Sequence, residues 1–208
     1  MADSAQVKPG MLIIGSGPSG AGKNSVFGRV LELQAGKMEE SVSCTTRAPR
    51  PGEVDGRDYY FVSDGQFEAW ERDNYFLESA GSHNGKRYGT PLEPVLEKLR
   101  QGIDVLLVIE VKGAKLARQR MPEALTIFIM PAGKSLDEKL VQLEDQLGIR
   151  GSESSEAVQE RLRIAKEEIA QADEYQHVVV NAPGELEAAV VEVNGIIEEA
   201  RRQRAARA

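Results

Sequence analysis

Short apolar runs alternate along the chain with segments in which apolar residues recur every three or four positions. The apolar runs predict buried strands at Met11–Ile14, Val105–Val111, Leu125–Met130 and Val178–Val180. The helical spacing predicts helices at Ser25–Leu33, Pro91–Gln101, Leu136–Leu147, Glu156–Tyr175 and Leu186–Arg204. Strands that alternate with helices are typical of a mostly parallel sheet with helices on both faces, so we predict an α/β fold.

Residues 43–90 break this alternation. Their pattern predicts four shorter strands, at Val42–Thr46, Asp58–Val62, Tyr75–Glu78 and Lys86–Gly89. A helix at Asp64–Glu71, capped by Ser63 or Asp64, is predicted among them. Prolines and glycines between the first two of these strands indicate an irregular loop at Arg47–Asp58. We therefore expect a small β-rich lobe at 43–90.

We expect a single domain over residues 10–200. The core of this domain is expected to comprise 10–42, 91–134 and 158–204. The lobe spans 43–90 and a helical lid spans 135–157. Flexible tails are expected at 1–9 and 205–208. The lid is predicted because that segment is helical and has glycines at its base.

Composition narrows the class of protein. The chain has 208 residues, of which 41% are hydrophobic and 28% charged, the profile of a soluble globular protein. No apolar run approaches the roughly 20 residues that a membrane helix needs. The residues before Met11 lack the apolar centre of a signal peptide. Cys44 is the only cysteine, which excludes an internal disulfide and favours a reducing cytosol. We therefore expect a cytoplasmic protein that does not bind membranes.

A net charge of −7 argues against a nucleic-acid partner, because binding nucleic acid needs a cationic face. The same acidic average raises the question of how this chain would bind any anionic substrate. The answer must lie in the local placement of its cationic side chains. Two short segments have the residues that such a placement needs.

The first segment reads Gly17-Pro18-Ser19-Gly20-Ala21-Gly22-Lys23 and lies between a predicted strand and a predicted helix. It matches the phosphate-loop pattern G-x-x-x-x-G-K, in which backbone N–H groups and the helix start bind phosphate oxygens and the lysine reaches the β- and γ-phosphates. The pattern's Ser or Thr for the metal is replaced by Asn24, with Ser25 next. An ordinary glycine turn at a helix start is the alternative.

The second segment contains Arg47 and Arg50, which are separated by Ala48 and Pro49. Proline stiffens a loop and can hold both guanidinium groups toward one anion. The hydroxyls of Tyr59 and Tyr88 could add donors, a set that suits a terminal phosphate dianion. A pair of solvated surface arginines is the alternative.

Four motifs together resemble guanylate kinases, in the order seen in that family. They are the phosphate loop, Ser43-Cys44-Thr45-Thr46-Arg47-Ala48-Pro49-Arg50-Pro51-Gly52-Glu53, Phe76-Leu77-Glu78 and Tyr88-Gly89-Thr90-Pro91. The similarity extends from Gly10 to about Ala200, and the arginine motif is the most specific part of it. The resemblance implies a parallel-sheet phosphate-loop NTPase core, a β-rich lobe that binds GMP, and transfer of the γ-phosphoryl group of ATP to GMP.

The resemblance also implies roles for individual residues, with ATP and GMP as partners. The GMP phosphate would be bound by Arg47, Arg50, Tyr59 and Tyr88, and guanine by Glu78, Ser43, Thr90 and Glu110. ATP would be bound by Gly17, Pro18, Ser19, Gly20, Ala21, Gly22, Lys23, Asn24, Ser25 and Asn181. The catalytic residues would be Lys23, Arg150 and Arg161. Mg²⁺ would be held by phosphates and waters, with possible contributions from Asn24, Ser25 and Glu110.

Several positions depart from the family pattern. Glu110 stands where the family usually has Asp, Val108 and Lys112 replace a Glu and a Gln, and Gln146 stands at the place of a lid arginine. These departures leave two other functions open. One is a GMP-binding module with impaired transfer, and the other is a kinase for a different phosphorylated acceptor. Cys44, within the arginine motif, is interpreted as a packed small residue and not as a nucleophile.

Overall fold

The computed structural model describes residues 8–81, 85–148 and 155–207. The strands are β1 Leu12–Ser16, β2 Met38–Glu40, β3 Cys44–Thr45, β4 Tyr60–Phe61, β5 Phe76–Gly81, β6 Arg87–Pro91, β7 Asp104–Val108, β8 Leu125–Pro131 and β9 His177–Asn181. The helices are α1 Lys23–Leu33, α2 Asp64–Arg72, α3 Leu92–Arg100, α4 Val111–Arg120, α5 Leu136–Gly148, α6 Ser155–Ile169 and α7 Leu186–Arg207.

A five-stranded sheet has the strand order β2-β7-β1-β8-β9. The pairs β2–β7, β1–β8 and β8–β9 are all parallel. Every residue of β1 and β8 is buried, which is why these strands appear in the sequence as unbroken apolar runs. The predicted α/β class with a parallel sheet is confirmed.

A second sheet has four strands in the order β4-β3-β6-β5. Strand β3 pairs in parallel with β4 and antiparallel with β6, and β6 pairs antiparallel with β5. Behind it, the rings of Phe67 and Phe76 stack with centroids 4.5 Å apart and pack with the buried Cys44. The Oγ of Ser63 accepts a hydrogen bond from the N–H of Gln66, which makes Ser63 the cap of α2. The β-rich character of this stretch is as the sequence predicts.

The chain divides into two compact units. One comprises Met1–Leu12, Gly36–Leu107 and Lys112–Ala124, and it contains the four-stranded sheet, β2 and β7. The other comprises Ile13–Ala35, Val108–Val111 and Leu125–Ala208, and it contains α1, β8, α5, α6, β9 and α7. Across the described ranges, no helix has both the length and the apolar character to span a membrane.

Several predicted elements differ in extent from the structure, and α4 and β2 were not predicted. The strand predicted at Val105–Val111 ends at Val108, and Val111 instead begins α4. Helix α4 buries Ala114 and Ala117, whose small side chains give a weak hydrophobic pattern. Strand β2 buries only Met38 and therefore has no apolar run. The helix predicted to reach Tyr175 ends at Ile169 and is followed by a 3₁₀ turn over Ala172–Glu174. The strand predicted at Asp58–Val62 is only the two residues of β4.

Candidate functional site

The segment Gly17–Lys23, here called the phosphate loop, joins β1 to α1. Gly17 and Gly22 have φ angles of 142° and 81°, which residues with a side chain rarely adopt. A Cβ at Gly17 would lie 2.3 Å from the carbonyl oxygen of Ile129, and one at Gly22 would lie 2.4 Å from Nδ2 of Asn181. No side chain caps α1, so the N–H groups of its first turn are suited to an external anion.

Asn181, the last residue of β9, fixes the phosphate loop from a distant part of the sequence. Its Nδ2 donates to the carbonyl oxygen of Ala21 at 2.9 Å. Its own carbonyl oxygen accepts from Nε2 of Gln142 at 3.2 Å. The sequence predicted Asn181 as a nucleotide contact, and the structure places its side chain against the loop.

Lys23, the first residue of α1, extends over the start of the same loop. Its Nζ donates to the carbonyl oxygens of Gly17 at 2.7 Å and of Pro18 at 3.1 Å. These contacts place the positive charge of Lys23 beside the phosphate loop.

Glu168, near the end of α6, is a carboxylate that sequence reasoning missed. The pKa of Glu168 is raised to about 7, chiefly by burial; Lys23 and the nearby backbone of Ser19 in the phosphate loop lower it, and the charge of Glu110 raises it. No local pattern marks this residue, because its place at the loop depends on how α6 packs.

Arg161 lies on α6, two helical turns before Glu168. Positions seven apart fall on the same face of a helix. Because Glu168 meets the phosphate loop, Arg161 lies on the face of α6 that is turned toward that loop, and its side chain is half-buried. Arg150, the other predicted catalytic arginine of this part of the chain, lies outside the described residues.

The residues predicted for Mg²⁺ are oxygen donors near the phosphate loop. Asn24 and Ser25 are exposed in the first turn of α1, and the exposed Glu110 lies beyond the end of β7. In the parts of the chain that the structure describes, no three His, Cys, Asp or Glu side chains cluster to hold a metal. Mg²⁺ characteristically uses one or two protein oxygens together with substrate phosphates and water, so this donor set fits it.

Arg47 is held by Glu53 within the segment Arg47–Asp58, here called the arginine loop. Its NH1 and NH2 atoms each donate to one Glu53 carboxylate oxygen at 2.6 Å. The N–H of Arg50 donates to the same carboxylate at 2.7 Å. Only 10% of the Arg47 side chain and 19% of the Glu53 side chain are exposed. The hydrogen bonds from Arg47, followed by that from Arg50, lower the pKa of Glu53 to about 2.

Aromatic side chains complete the surroundings of Arg47. Its guanidinium carbon lies 5.0 Å from the ring centroid of Tyr59 and 5.6 Å from that of Phe61. Glu53 and, to a smaller extent, the nearby Tyr88 raise the pKa of Arg47, and the Tyr59 and Tyr88 rings meet edge to face with their centroids 5.9 Å apart. Burial raises the pKa of Tyr59, so its hydroxyl remains a donor at neutral pH. Three predicted phosphate ligands, Arg47, Tyr59 and Tyr88, therefore lie together, while the side chain of Arg50 is exposed on the same loop.

Glu78 lies on β5 of the same four-stranded sheet and is only 5% exposed. It is directly opposite Thr90 on β6, whose Oγ1 donates to its Oε1 at 2.8 Å. The half-buried Ser43 immediately precedes β3, and its carbonyl oxygen accepts from the N–H of Tyr60. The four-stranded sheet thus has a buried carboxylate that could accept hydrogen bonds from a ligand with adjacent donors.

Cys44, on β3, is 1% exposed. Burial, with a smaller effect of the Asp55 charge, raises the pKa of its thiol to about 12. The thiol is therefore neutral at physiological pH, and a neutral thiol is a poor nucleophile. This placement agrees with the interpretation of Cys44 as a packed small residue.

Glu53 is the second functional candidate without a role assigned from the sequence. It stands inside the arginine motif, six positions after Arg47. A carboxylate that follows two arginines and a Pro-Gly turn is a usable signal, since the turn brings it back to the first arginine. Glu168 has no such local signal.

Comparison with known proteins relates nearly the whole chain to one family. The family model described as guanylate kinase matches residues 9–200. A guanylate kinase of Streptococcus thermophilus is 44% identical over 189 residues, which cover 91% of this chain and 86% of that protein. One from Rubrobacter xylanophilus is 46% identical over 175 residues, covering 84% of this chain and 87% of that protein.

The fold also matches a solved structure. The crystal structure of guanylate kinase from Anaplasma phagocytophilum aligns with a TM-score of 0.71 and 29% sequence identity. The alignment covers 92% of this chain and 86% of that chain. Sequence and fold therefore indicate the same family.

Proposed function

The chain belongs to the guanylate kinase family, and we propose that it transfers the γ-phosphoryl group of ATP to GMP, giving ADP and GDP. One observation carries the choice of acceptor. The four-stranded sheet and its arginine loop combine a phosphate-binding cluster around Arg47 with the buried carboxylate of Glu78. An acceptor with a phosphate at one end and a base with adjacent donors at the other fits this combination.

The phosphate of GMP is proposed to bind to Arg47, Arg50, Tyr59 and Tyr88. The aromatic rings and Glu53 support the largely buried Arg47 guanidinium before any ligand arrives. Because this geometry exists in advance, little conformational entropy is lost when the phosphate binds. The hydroxyl of Tyr88 lies near Arg47 and can donate its proton to a phosphate oxygen.

Guanine is proposed to be read by Glu78. The guanine N1–H and exocyclic amine are adjacent donors, and a carboxylate offers two acceptors in matching geometry. Adenine lacks this donor pair and would leave the buried carboxylate without its partners, which is a strong basis for rejection. Thr90 already orients one oxygen of Glu78, and Ser43 is proposed to complete the contacts to the base.

ATP is proposed to bind with its phosphates in the phosphate loop and Asn181 beside the nucleotide. Phosphoryl transfer asks the protein mainly to align the reactants and stabilise the charge that moves. Lys23, Arg161 and Arg150 are the cations proposed for that stabilisation. The role of Lys23 is supported by its place over the loop, and that of Arg161 by the face of α6 that it shares with Glu168.

Mg²⁺ is the proposed cofactor, and it would neutralise part of the charge of the ATP phosphates. Asn24, Ser25 and Glu110 are the protein oxygens proposed to hold it, directly or through water. The enzyme is further proposed to act in the cytosol, because its one cysteine is a buried thiol.

The proposal is tested with a panel of nucleoside monophosphates. Each of GMP, AMP, CMP and UMP is incubated with Mg-ATP, and ADP release is followed by a coupled assay. We expect rapid ADP release with GMP alone. Equal or faster release with another acceptor would instead support a kinase for a different substrate.

A further inference from the structure

Thr45, the last residue of β3, has a fully buried side chain whose hydroxyl both donates and accepts a hydrogen bond. Its Oγ1 donates to the carbonyl oxygen of Arg87 at 3.0 Å and accepts from the backbone N–H of Arg47 at 3.3 Å. The two directions are fixed, because a carbonyl oxygen only accepts and a backbone N–H only donates. One buried hydroxyl therefore joins the first residue of the arginine loop to the residue that precedes Tyr88 on β6.

The backbone on either side of this hydroxyl is held by other contacts. Thr45 lies directly opposite Tyr88 in the antiparallel pair of β3 and β6. The N–H of Thr46 donates to the carbonyl oxygen of Arg87 at 3.1 Å, and the N–H of Arg87 donates to Oγ1 of Thr46 at 3.2 Å. These contacts hold residues 45 and 46 against β6. The Thr45 hydroxyl extends the hold by one residue, to the backbone of Arg47.

The position of the Arg47 backbone matters because its guanidinium makes a two-point contact. Both of its terminal nitrogens meet the Glu53 carboxylate, and such paired hydrogen bonds tolerate little displacement. Without the Thr45 hydroxyl, the Arg47 N–H would lose its acceptor beside a buried apolar group. An unpaired buried N–H is costly, and the start of the loop could relieve that cost by moving toward water. The guanidinium would then move with its backbone.

We propose that Thr45 is a positioning residue for phosphate recognition, whose hydroxyl ties Arg47 to β6 and so aligns its guanidinium with the neighbouring Tyr88. The inference rests on the proposed function in taking the phosphate of GMP as the ligand of these two side chains. The effect of losing the hydroxyl should fall on GMP and not on ATP, because none of these contacts involves the phosphate loop.

The test is calorimetric titration of GMP, and separately of ATP, into the unaltered chain, Thr45→Val and Thr45→Ser. Valine keeps the shape of threonine without the hydroxyl, whereas serine keeps the hydroxyl. We expect Thr45→Val to raise the Kd for GMP about tenfold and to leave that for ATP within about twofold. Thr45→Ser should restore most of the GMP affinity. A Kd for GMP in Thr45→Val within about twofold of the unaltered value would overturn the proposal.

Thr126→Val is the matched control, because it makes the same substitution at another buried threonine. Thr126 lies on β8, is 3% exposed, and its Oγ1 accepts from the backbone N–H of Gln176 at 2.9 Å. We expect this variant to lower the thermal unfolding temperature but to leave the Kd for GMP within about twofold. A loss of GMP affinity equal to that of Thr45→Val would overturn the proposal, since any destabilised chain would then show it.

Hydrogen exchange in the ligand-free chain tests the contact itself. We expect the backbone amide of Arg47 to exchange about tenfold faster in Thr45→Val than in the unaltered chain. The amide of Val62, which donates to the carbonyl oxygen of Thr45 at 3.0 Å, should keep its rate. Equal acceleration of both amides would contradict the proposal, because β3 as a whole would then be opening. Should Thr45→Val fail to fold, Thr45→Ala decides by the same titrations and exchange rates.

Failure of this inference and failure of the proposed function are distinguishable. Weaker GMP binding by Thr45→Val in a chain that forms no GDP would support the positioning role and contradict the proposed transfer. Formation of GDP together with an unchanged Kd for GMP in Thr45→Val would do the reverse.

Discussion

The arginine loop and the phosphate loop are both suited to bind phosphate, but their donors are fixed in different ways. In the arginine loop the donors are side chains, and Arg47 is held by a carboxylate six positions away. In the phosphate loop the donors are mainly backbone N–H groups, and the loop is held by Asn181, 160 positions from Ala21. The first arrangement is local in sequence, whereas the second exists only once α6 and β9 have packed.

This difference has a consequence for how each site responds to change. Loss of a local partner should disturb one ligand and leave the rest of the protein intact, because few other contacts depend on it. Loss of a donor at the phosphate loop should affect the reaction itself, since the transferring phosphoryl group is proposed to bind there. Substitutions in the two loops and in the four-stranded sheet test that contrast.

The largest effect is expected for Lys23→Ala. We expect kcat to fall about a thousandfold, because the mutation removes a cation beside the transferring group. The Kd for GMP should be unchanged, since the arginine loop has its own contacts. Lys37→Ala, at an exposed lysine, is the control. A large loss of GMP binding in Lys23→Ala would show that the two loops do not act separately.

The second-largest effect concerns the selection of guanine over adenine. Glu78→Gln should lower the preference for GMP over AMP, measured as the ratio of kcat/KM values, by about a hundredfold. The reason is that an amide presents its NH₂ group to a guanine that offers donors. Glu93→Gln makes the same charge change at an exposed position of α3 and should retain the preference. An unaltered preference in Glu78→Gln would exclude Glu78 as the reader of the base.

A smaller effect is expected for Glu53→Gln. The substitution weakens the two-point contact to Arg47, so we expect the KM for GMP to rise about tenfold while kcat and the KM for ATP change little. Steady-state kinetics with each substrate varied in turn will show it. Equal changes in both KM values would mean that Glu53 supports more than the arginine loop.

The same carboxylate predicts a pH effect on stability. The pKa of Glu53 is lowered from 4.5 to about 2, so ionised Glu53 stabilises the folded state above pH 4.5, and this contribution is lost as the pH falls from 4.5 toward 2. Urea unfolding at a series of pH values should therefore show a shallower acid loss for Glu53→Gln than for the unaltered chain. Parallel curves would contradict the Arg47–Glu53 contact.

The smallest effect is expected for the Cys44 thiol, which should not react with a thiol reagent in the folded protein. Cys44 is 1% exposed and pairs with Gly89 across β3 and β6, so a thiol reagent should not label it in the folded protein. Labelling should become complete in denaturant, which serves as the positive control. Rapid labelling of the folded chain would show that the sheet below the arginine loop opens readily.

Much of the fold could be predicted because its central strands are buried on both faces. Their apolar runs are unambiguous, as for β1 and β8. Strand β2 and helix α4 were missed for the opposite reason. The former buries one residue, Met38, and the latter buries alanines, so neither produces a strong hydrophobic period.

The two loops differ in the same respect. The family resemblance brought Arg47, Tyr59, Tyr88 and Glu78 into one hypothesis, because its motifs all lie between residues 43 and 91, and the structure places these residues on one sheet and its loop. Glu53 was visible within that motif but had no assigned partner. Glu168 could not be found, because nothing near it in the sequence shows that α6 brings it near the phosphate loop.

The most direct test of the central claim is identification of the products formed from GMP and Mg-ATP. Chromatography of the reaction should show ADP and GDP appearing in equal amounts while GMP and ATP disappear, with no comparable ADP when AMP replaces GMP. Binding of GMP, measured by calorimetry, without formation of GDP would contradict the account and favour a GMP-binding module that does not transfer phosphate.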